Sequence, residues 1–221
     1  MQTFDKKTVI KEIDENKIIA ILRGIEKEKL IELCEALYNG GIRLLELTYS
    51  ADGSVLDFET ARSIKMLAEH FKGRLYIGAG TVTTKKQVSL TKKAGGMFII
   101  SPNTDKKVIR KTVKCGLVSI PGALTPSEAF VAKSSGADYV KLFPVKNMGE
   151  DYIKAIKAAL SNIKFLAVGG IDENNMTDYL KIGACGFGIG TNITDKKMIE
   201  NNDWNGITEL ARKYTAVIKN A

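Results

Sequence analysis

The sequence has very few residues of the types that most often bind metals or activate nucleophiles. It contains one histidine, His70, near the end of a helical pattern, where we expect an exposed side chain. Its three cysteines, Cys34, Cys115 and Cys185, lie far apart and form no C-x-x-C pair, so we expect free thiols. These absences exclude histidine-rich metal sites, thiolate clusters and histidine-activated nucleophiles. Catalysis must then use lysine, carboxylates, arginine, hydroxyl groups or the backbone, and we expect neither metal nor other cofactor.

Long apolar runs and flexible linkers are also absent. No apolar stretch approaches the roughly 18 residues of a membrane span, and the first residues lack the continuous apolar core of a signal peptide. We therefore expect a cytoplasmic protein that does not contact membranes. The 221 residues are 44% hydrophobic and 26% charged, and no Pro/Ser-rich linker divides them. This composition predicts a single globular domain over residues 1–221.

The excess of basic residues needs a separate explanation. The net charge is +8, but the lysines are scattered in short groups such as TTKKQ and TDKKVIRK, with no aromatic residues between them. Nucleic-acid surfaces combine a clustered basic patch with stacking side chains, and this sequence does not show that pattern. We expect no nucleic-acid partner, whereas an acidic small-molecule substrate is compatible with the charge.

Eight short apolar runs alternate with longer segments of helical spacing. Runs without polar alternation are typical of parallel strands covered on both faces. The segment after the fifth run opens with Thr125-Pro126 and has Glu128 three residues after Thr125, a helix start signal. The runs are IIAILRG (18–24), IRLLELT (42–48), LYIGAGT (75–81), MFIISPN (97–103), LVSIPGA (117–123), YVKLFPV (139–145), FLAVGGI (165–171) and CGFGIGT (185–191).

An eightfold alternation in one undivided chain predicts a single (β/α)8 TIM barrel. An open doubly wound sheet is the structural alternative. Its dinucleotide-binding version is disfavoured, because no G-x-G-x-x-G follows the first run.

The chemistry of such barrels lies at the carboxyl ends of the strands, and the unusual residues of this sequence fall there. Lys141 lies inside YVKLFPV, and Glu46 lies between Leu45 and Leu47. A buried ion network that only fixes the barrel interior is one interpretation. The functional interpretation is a desolvated lysine near another cation, whose lowered pKa makes a neutral amine available for a Schiff base.

The neighbouring residues fit a keto-acid substrate. Glu46 would move protons, and Arg23, with help from the Thr81 hydroxyl, would bind a substrate carboxylate. At the last two strands, AVGGI and GFGIGT place glycines where barrels frequently hold a phosphate. The pattern therefore indicates a pocket for a pyruvate unit with a phosphate site beside it.

Taken in order along the chain, the motifs IIAILRG, LLELT, IGAGTV, FIISPN, IPG, VKLFP, AVGGI and GFGIGT closely resemble one family. This family is the class I 2-keto-3-deoxy-6-phosphogluconate (KDPG) and 4-hydroxy-2-oxoglutarate (KHG) aldolases. The resemblance implies a barrel that is usually a homotrimer and that reversibly cleaves KDPG to pyruvate and glyceraldehyde 3-phosphate. Cleavage of KHG to pyruvate and glyoxylate is a further implied activity.

The resemblance also implies a role for each matching residue. Lys141 is the Schiff-base lysine and Glu46 the acid/base glutamate. Thr81 holds the pyruvate carboxylate, and Pro102 and Phe143 form the pocket walls. The residues that match the phosphate grip are Gly169, Gly170, Gly190 and Thr191.

Two departures from the family pattern bear on substrate choice. Some members have an arginine shortly after the E-[LVI]-T motif, whereas this chain has Tyr49-Ser50, and we expect Arg23 to replace it. Val168 precedes the glycine pair where phosphogluconate enzymes commonly have threonine; an apolar residue there is similar to aldolases of the galactonate epimer. That epimer is an alternative substrate. A sugar-phosphate isomerase or epimerase, and a non-catalytic sugar-phosphate sensor, are more distant alternatives.

Overall fold

The computed structural model describes residues 5–220, and these form a barrel of parallel strands surrounded by helices. Neighbouring strands follow the order β5-β4-β3-β2-β1-β9-β8-β7-β6, and each pair is parallel. The strands are β1 (Ile18–Leu22), β2 (Leu44–Thr48), β3 (Tyr76–Gly80), β4 (Phe98–Ile100), β5 (Val118–Ile120), β6 (Gly122–Ala123), β7 (Val140–Leu142), β8 (Phe165–Val168) and β9 (Ala184–Ile189).

Strands β5 and β6 are two halves of one barrel strand, separated by Pro121. β5 pairs with β4 on one side and β6 pairs with β7 on the other, so the pair closes the sheet into a barrel of eight. Proline has no N–H to donate to a ladder, but the Pro121 carbonyl accepts the Lys141 N–H at 2.9 Å. The predicted (β/α)8 barrel is confirmed, and the open doubly wound alternative is wrong. The expected single run 117–123 is interrupted at its proline.

Helices alternate with the strands, as the sequence pattern predicts. The predicted start at Thr125 is confirmed: its hydroxyl accepts the Glu128 N–H, and the Glu128 carboxylate accepts the Thr125 N–H. No helix within residues 5–220 is long and apolar enough to cross a membrane. The helices are α1 (Lys6–Asn16), α2 (Leu30–Asn39), α3 (Asp57–His70), α4 (Lys85–Lys93), α5 (Lys106–Lys114), α6 (Pro126–Ser134), α7 (Val145–Met148), α8 (Glu150–Ala159), α9 (Met176–Lys181), α10 (Lys196–Glu200) and α11 (Trp204–Lys219).

The core has two layers, which follow from the alternation of side chains along each strand. The larger layer lies between the barrel and the outer helices. The smaller layer fills the barrel interior, and helix α1 closes it at the amino-terminal end with Val9 and Ile13. One end of the barrel is therefore sealed, and access to the interior is from the carboxyl ends of the strands.

The scarce residue types lie away from the carboxyl ends of the strands. His70 ends α3, and its side chain is 41% exposed and faces Glu35. Cys34 is buried, and Cys115 and Cys185 are partly buried; all three are free thiols, as predicted. Burial raises the pKa of the Cys185 thiol to about 11, which makes it a poor nucleophile at neutral pH.

Candidate active site

A cavity of about 710 Å³ opens at the carboxyl ends of the strands. Glu46 lies beneath it, whereas the other predicted site residues line it directly. The structure therefore gathers residues from seven separate segments of the chain at one place. The predicted lining residues are Arg23, Thr81, Pro102, Lys141, Phe143, Gly169, Gly170, Gly190 and Thr191.

Lys141 is the central residue of β7 and points into this cavity while remaining 8% exposed. Its Nζ lies 5.1 Å from the centroid of the Phe143 ring. Phe143 is 45% exposed and stands at the mouth. The lysine is thus held in an apolar setting that a carbonyl compound can still enter.

Glu46, in β2, is 1% exposed and lies against the backbone of β3. A Cβ on Gly80 would come within 1.5 Å of the Glu46 Oε1 atom, so only glycine at position 80 leaves room for the carboxylate. The other oxygen, Oε2, is buried and has no hydrogen-bond partner among residues 5–220. A buried carboxylate oxygen without a donor is costly and favours the protonated form.

Glu46 and Lys141 each shift the pKa of the other, and burial shifts the pKa of both. Burial raises the pKa of Glu46 above its usual value, although Lys141 and then Arg23 oppose the rise. Burial lowers the pKa of Lys141, Glu46 opposes that change, and Arg23 adds to it. Both shifts favour the uncharged forms, a carboxylic acid beside a free amine. These are the forms that a nucleophilic lysine and a proton donor require.

Arg23 and Thr81 meet at the adjoining wall. The Arg23 Nη2 atom lies 3.2 Å from Thr81 Oγ1 and donates a hydrogen bond to it. Thr81 follows β3 with a φ of 55°, a left-handed conformation that is uncommon for a threonine. The pair presents a guanidinium and a hydroxyl side by side, a combination suited to a carboxylate.

The glycines after β8 and β9 form the next part of the wall, because β9 pairs with β1, the strand before Arg23. Gly169 and Gly170 have φ values of 94° and 80°, which favour glycine. The nearest atom to a Cβ on Gly190 would be the Ile21 Cβ at 3.8 Å, so this glycine borders open space. Val168 also lines the cavity and packs against Gly188. An anion can approach the backbone closely here.

The sequence did not reveal every lining residue. Many of those missed lie two to four residues beyond the strand ends, in loops or in α7, and they are of types that occur on any protein surface. Within residues 5–220 no group of three or more histidine, cysteine, aspartate or glutamate side chains could hold a metal ion. The missed lining residues include Ser50, Ala51, Thr83, Lys146, Asp172 and Asn192.

Comparisons with known proteins agree with this geometry. Residues 9–210 match the family model for KDPG and KHG aldolases. The chain is 37% identical over 180 residues to a probable 2-dehydro-3-deoxy-6-phosphogalactonate aldolase of Rhizobium meliloti (strain 1021), covering 81% of this chain and 82% of that one. It is 33% identical over 200 residues to a 2-dehydro-3-deoxy-phosphogluconate aldolase of Pseudoalteromonas atlantica, covering 90% of each chain.

A solved structure extends the comparison to three dimensions. It is the KDPG aldolase of Legionella pneumophila, with pyruvate captured at low pH as a covalent carbinolamine intermediate. The two chains are 30% identical with a TM-score of 0.81, over 90% of this chain and 94% of that one. The chain described here therefore belongs to the KDPG and KHG aldolase family.

Proposed function

We propose that this protein is a class I aldolase, a lyase that reversibly cleaves KDPG to pyruvate and glyceraldehyde 3-phosphate. The observation that carries the proposal is the placement of buried Lys141 above buried Glu46 at the mouth of the barrel. Membership of an aldolase family supports the reaction class. The solved relative from Legionella pneumophila holds pyruvate as a carbinolamine, which is the adduct expected here on Lys141.

The substrate has two anionic ends, and the cavity offers a place for each. The carboxylate beside the reacting carbonyl would bind Arg23 and Thr81, which are already hydrogen-bonded to each other. The phosphate would lie against Gly169, Gly170, Gly190 and Thr191, which line the same cavity. Pro102 and Phe143 would form the walls between these ends, and together these contacts fix the orientation of the carbon chain over Lys141.

The first chemical stage is formation of the imine. The uncharged Lys141 amine attacks the keto carbon, and one proton moves from the attacking nitrogen to the carbonyl oxygen to give a carbinolamine. The protonated Glu46 carboxyl then donates its proton to the departing hydroxyl, which leaves as water, while the nitrogen lone pair forms the C=N⁺ bond. Burial raises the pKa of Glu46 above its usual value, which favours the protonated form that this step uses.

The second stage is cleavage of the carbon–carbon bond. Glu46, now a carboxylate, accepts the proton of the hydroxyl two carbons from the imine. The C–C bond breaks as the aldehyde C=O forms, and its electrons move into the iminium to leave an enamine of pyruvate. The enamine carbon is then protonated, and water hydrolyses the imine to release pyruvate and restore Lys141.

Trapping with pyruvate tests the imine chemistry. Incubation with pyruvate and borohydride should add one reduced pyruvate to the protein, and peptide mapping should place it on Lys141. Lys141→Ala should take up none, while Lys154→Ala, which changes an exposed lysine, should behave as wild type. An adduct confined to surface lysines, together with turnover of a pentose phosphate, would favour the isomerase. Tight sugar-phosphate binding in Lys141→Ala, without turnover by the wild type, would favour the sensor.

The galactonate epimer is a second candidate substrate because of Val168. The apolar side chain lines the cavity and offers no hydrogen bond to a substrate hydroxyl. The relatives above include enzymes named for each epimer. One hydroxyl contact in a relaxed pocket discriminates weakly, so we expect cleavage of both epimers. Comparing kcat/KM for the two with wild type and Val168→Thr tests this: the threonine should shift the ratio toward the gluconate form.

Three further properties belong to the proposal. KHG, which lacks the phosphate, should be cleaved to pyruvate and glyoxylate with a higher KM, since it forfeits the contacts at the glycines. The active form should be a homotrimer, which light scattering at assay concentration can measure. A cytoplasmic location and a single domain spanning 1–221 remain predictions from the sequence, to be checked by fractionation and limited proteolysis.

A further inference from the structure

One cation in the cavity has no part in the chemistry above. Lys146 lies in the short helix α7, five residues after Lys141, and lines the same cavity. Its backbone N–H donates to the Gly169 carbonyl at 3.2 Å. The start of α7 is therefore tied directly to the glycine turn that follows β8.

The side chain of Lys146 also lies against that turn. A Cβ placed on Gly170 would be 2.5 Å from both Cβ and Cδ of Lys146. The aliphatic stem thus runs along the bare backbone of Gly170, where any larger residue would displace it. Together with the N–H contact, this packing holds the lysine beside the surface proposed to receive the phosphate.

The Lys146 ammonium is not used by the fold. Among residues 5–220 no ion pair or side-chain hydrogen bond engages it. By contrast, Lys154 pairs with Glu150 and Asp151, and Lys157 donates to two backbone carbonyls. A lysine that is positioned but unpaired beside a cavity is available to a ligand.

The carboxylate of Asp172 explains why an extra cation matters here. Asp172 lines the same part of the cavity, and its Oδ1 accepts the N–H groups of Asn174 and Asn175. It therefore stabilises the turn after the glycines and brings a negative charge close to the proposed phosphate site. A phosphate dianion beside it would be repelled unless a cation offset that charge.

We propose that Lys146 binds the phosphate of the substrate and sets the preference for phosphorylated over unphosphorylated keto acids. This inference rests on the proposed function, because it concerns one end of the same substrate. Lys146 is a binding residue remote from the bond that breaks. Its loss should weaken recognition of the phosphate and leave the order of the chemical steps unchanged.

The test compares Lys146→Gln with wild type on KDPG and on the same keto acid without phosphate. The ratio of the two kcat/KM values should fall about tenfold, mainly through KM for the phosphorylated substrate, as for loss of a partly exposed charged contact. Lys146→Arg should restore most of the ratio. Lys154→Gln, an exposed lysine on the next helix, is the matched control and should leave the ratio unchanged.

A direct measurement separates this inference from the proposed function. The dissociation constant for inorganic phosphate, measured by calorimetry, should rise several-fold in Lys146→Gln, at low salt, and not in Lys154→Gln. An equal loss with both substrates, or an unchanged phosphate constant, would overturn the inference. Failure of the wild type to cleave any keto acid would instead count against the proposed function, and phosphate binding would still decide the role of Lys146.

Discussion

The two ends of the barrel differ in whether their charged side chains have partners within the chain. At the amino-terminal end, Asp14 of α1 accepts a hydrogen bond from the Tyr139 hydroxyl at 2.8 Å and pairs with Lys164 at 2.7 Å. Nearby, Asp138 pairs with Lys6 at 2.8 Å and accepts the Ser119 N–H at 2.8 Å. Each of these four charges has a partner within the chain.

At the carboxyl-terminal end the partners are missing from the chain itself. Among residues 5–220, Arg23, Lys141 and Lys146 form no ion pair within 4 Å, and Glu46 keeps one oxygen without a donor. The buried amine and acid there shift toward their uncharged forms. Paired charges therefore stabilise the fold at one end, and under the proposed function the unpaired ones at the other end are available to the substrate.

Removing the amine should give the largest effect on activity. Lys141→Met keeps the stem and removes the nucleophile, so we expect kcat/KM for aldol cleavage to fall by about 10³-fold or more. The free energy of unfolding should stay the same or rise, because a desolvated amine is replaced by an apolar group. Coupled assay of pyruvate release and urea denaturation measure both. A marked loss of stability would show that Lys141 supports the fold.

Neutralising the acid should have the next largest effect. Glu46→Gln retains the shape but can neither donate nor accept the transferred protons, and we expect a loss of about 10²–10⁴-fold in kcat. Trapping of pyruvate on Lys141 should persist at a reduced rate, since the amine remains. Unfolding should become no easier, because a buried acid gives way to a neutral amide. Single-turnover trapping and calorimetry check the two parts separately.

The pH dependence of imine formation should change moderately and in opposite directions. Arg23→Leu removes a cation that lowers the pKa of Lys141, so the midpoint of the trapping rate should move to higher pH. Glu46→Gln removes the anion that raises this pKa, so its midpoint should move to lower pH. Arg23→Leu should also weaken pyruvate affinity, and an unchanged affinity would sink the proposed carboxylate contact. Trapping rates across pH 5 to 10 provide the measurement.

Linkage fixes the sign of the accompanying stability change. The folded-state pKa of Lys141 lies below its ordinary value of 10.5, so the unfolded chain binds more protons between the two, and this contribution to stability rises with pH. The folded-state pKa of Glu46 lies above 4.5, so its contribution falls as pH rises through that window. Removing each group should delete the corresponding slope from a plot of unfolding free energy against pH.

A substitution at the amino-terminal end of the barrel should have the smallest effect on activity. Asp14→Asn weakens the pair with Lys164 and the contact with Tyr139, and we expect unfolding to become easier by about 1 kcal/mol, given partial exposure of the pair. The kcat should remain within about twofold of wild type, since no barrel-mouth residue is touched. Denaturation and steady-state assay together decide this. A large loss of kcat would break the division between the two ends.

Most of the fold could be predicted from the sequence, because apolar strands and helix starts are encoded by local patterns of residues. The eight runs appear as strands, and Thr125 caps its helix as expected. Pro121 is evident in the sequence, but the interruption of the fifth strand there is not. The interruption depends on the pairing of each half with a different neighbouring strand.

The proposed catalytic residues could be predicted from the sequence where a residue type is unusual for its surroundings. Lys141 and Glu46 stand out because charged residues rarely lie inside apolar strands. Lys146, in the short helix α7, and Asp172, in a loop, lie on segments where such residues are common, and only the closed barrel brings them to the cavity. Likewise, position 80 must be glycine because the Glu46 carboxylate of the neighbouring strand β2 occupies the space of a side chain, and no local sequence pattern reveals this.

The hydrogen bonds of α1 also bear on how the chain is made. The contact between Asp14 and Lys164 spans 150 residues, and that between Ile10 and Tyr139 spans 129. At about 5–20 residues per second of synthesis, Lys164 leaves the ribosome roughly 8 to 30 s after Asp14. Helix α1 therefore cannot seal the barrel until Tyr139 and Lys164 have been synthesised. Until then its apolar residues Val9 and Ile13 have no barrel interior to cover, so the nascent chain leaves this apolar surface exposed to water.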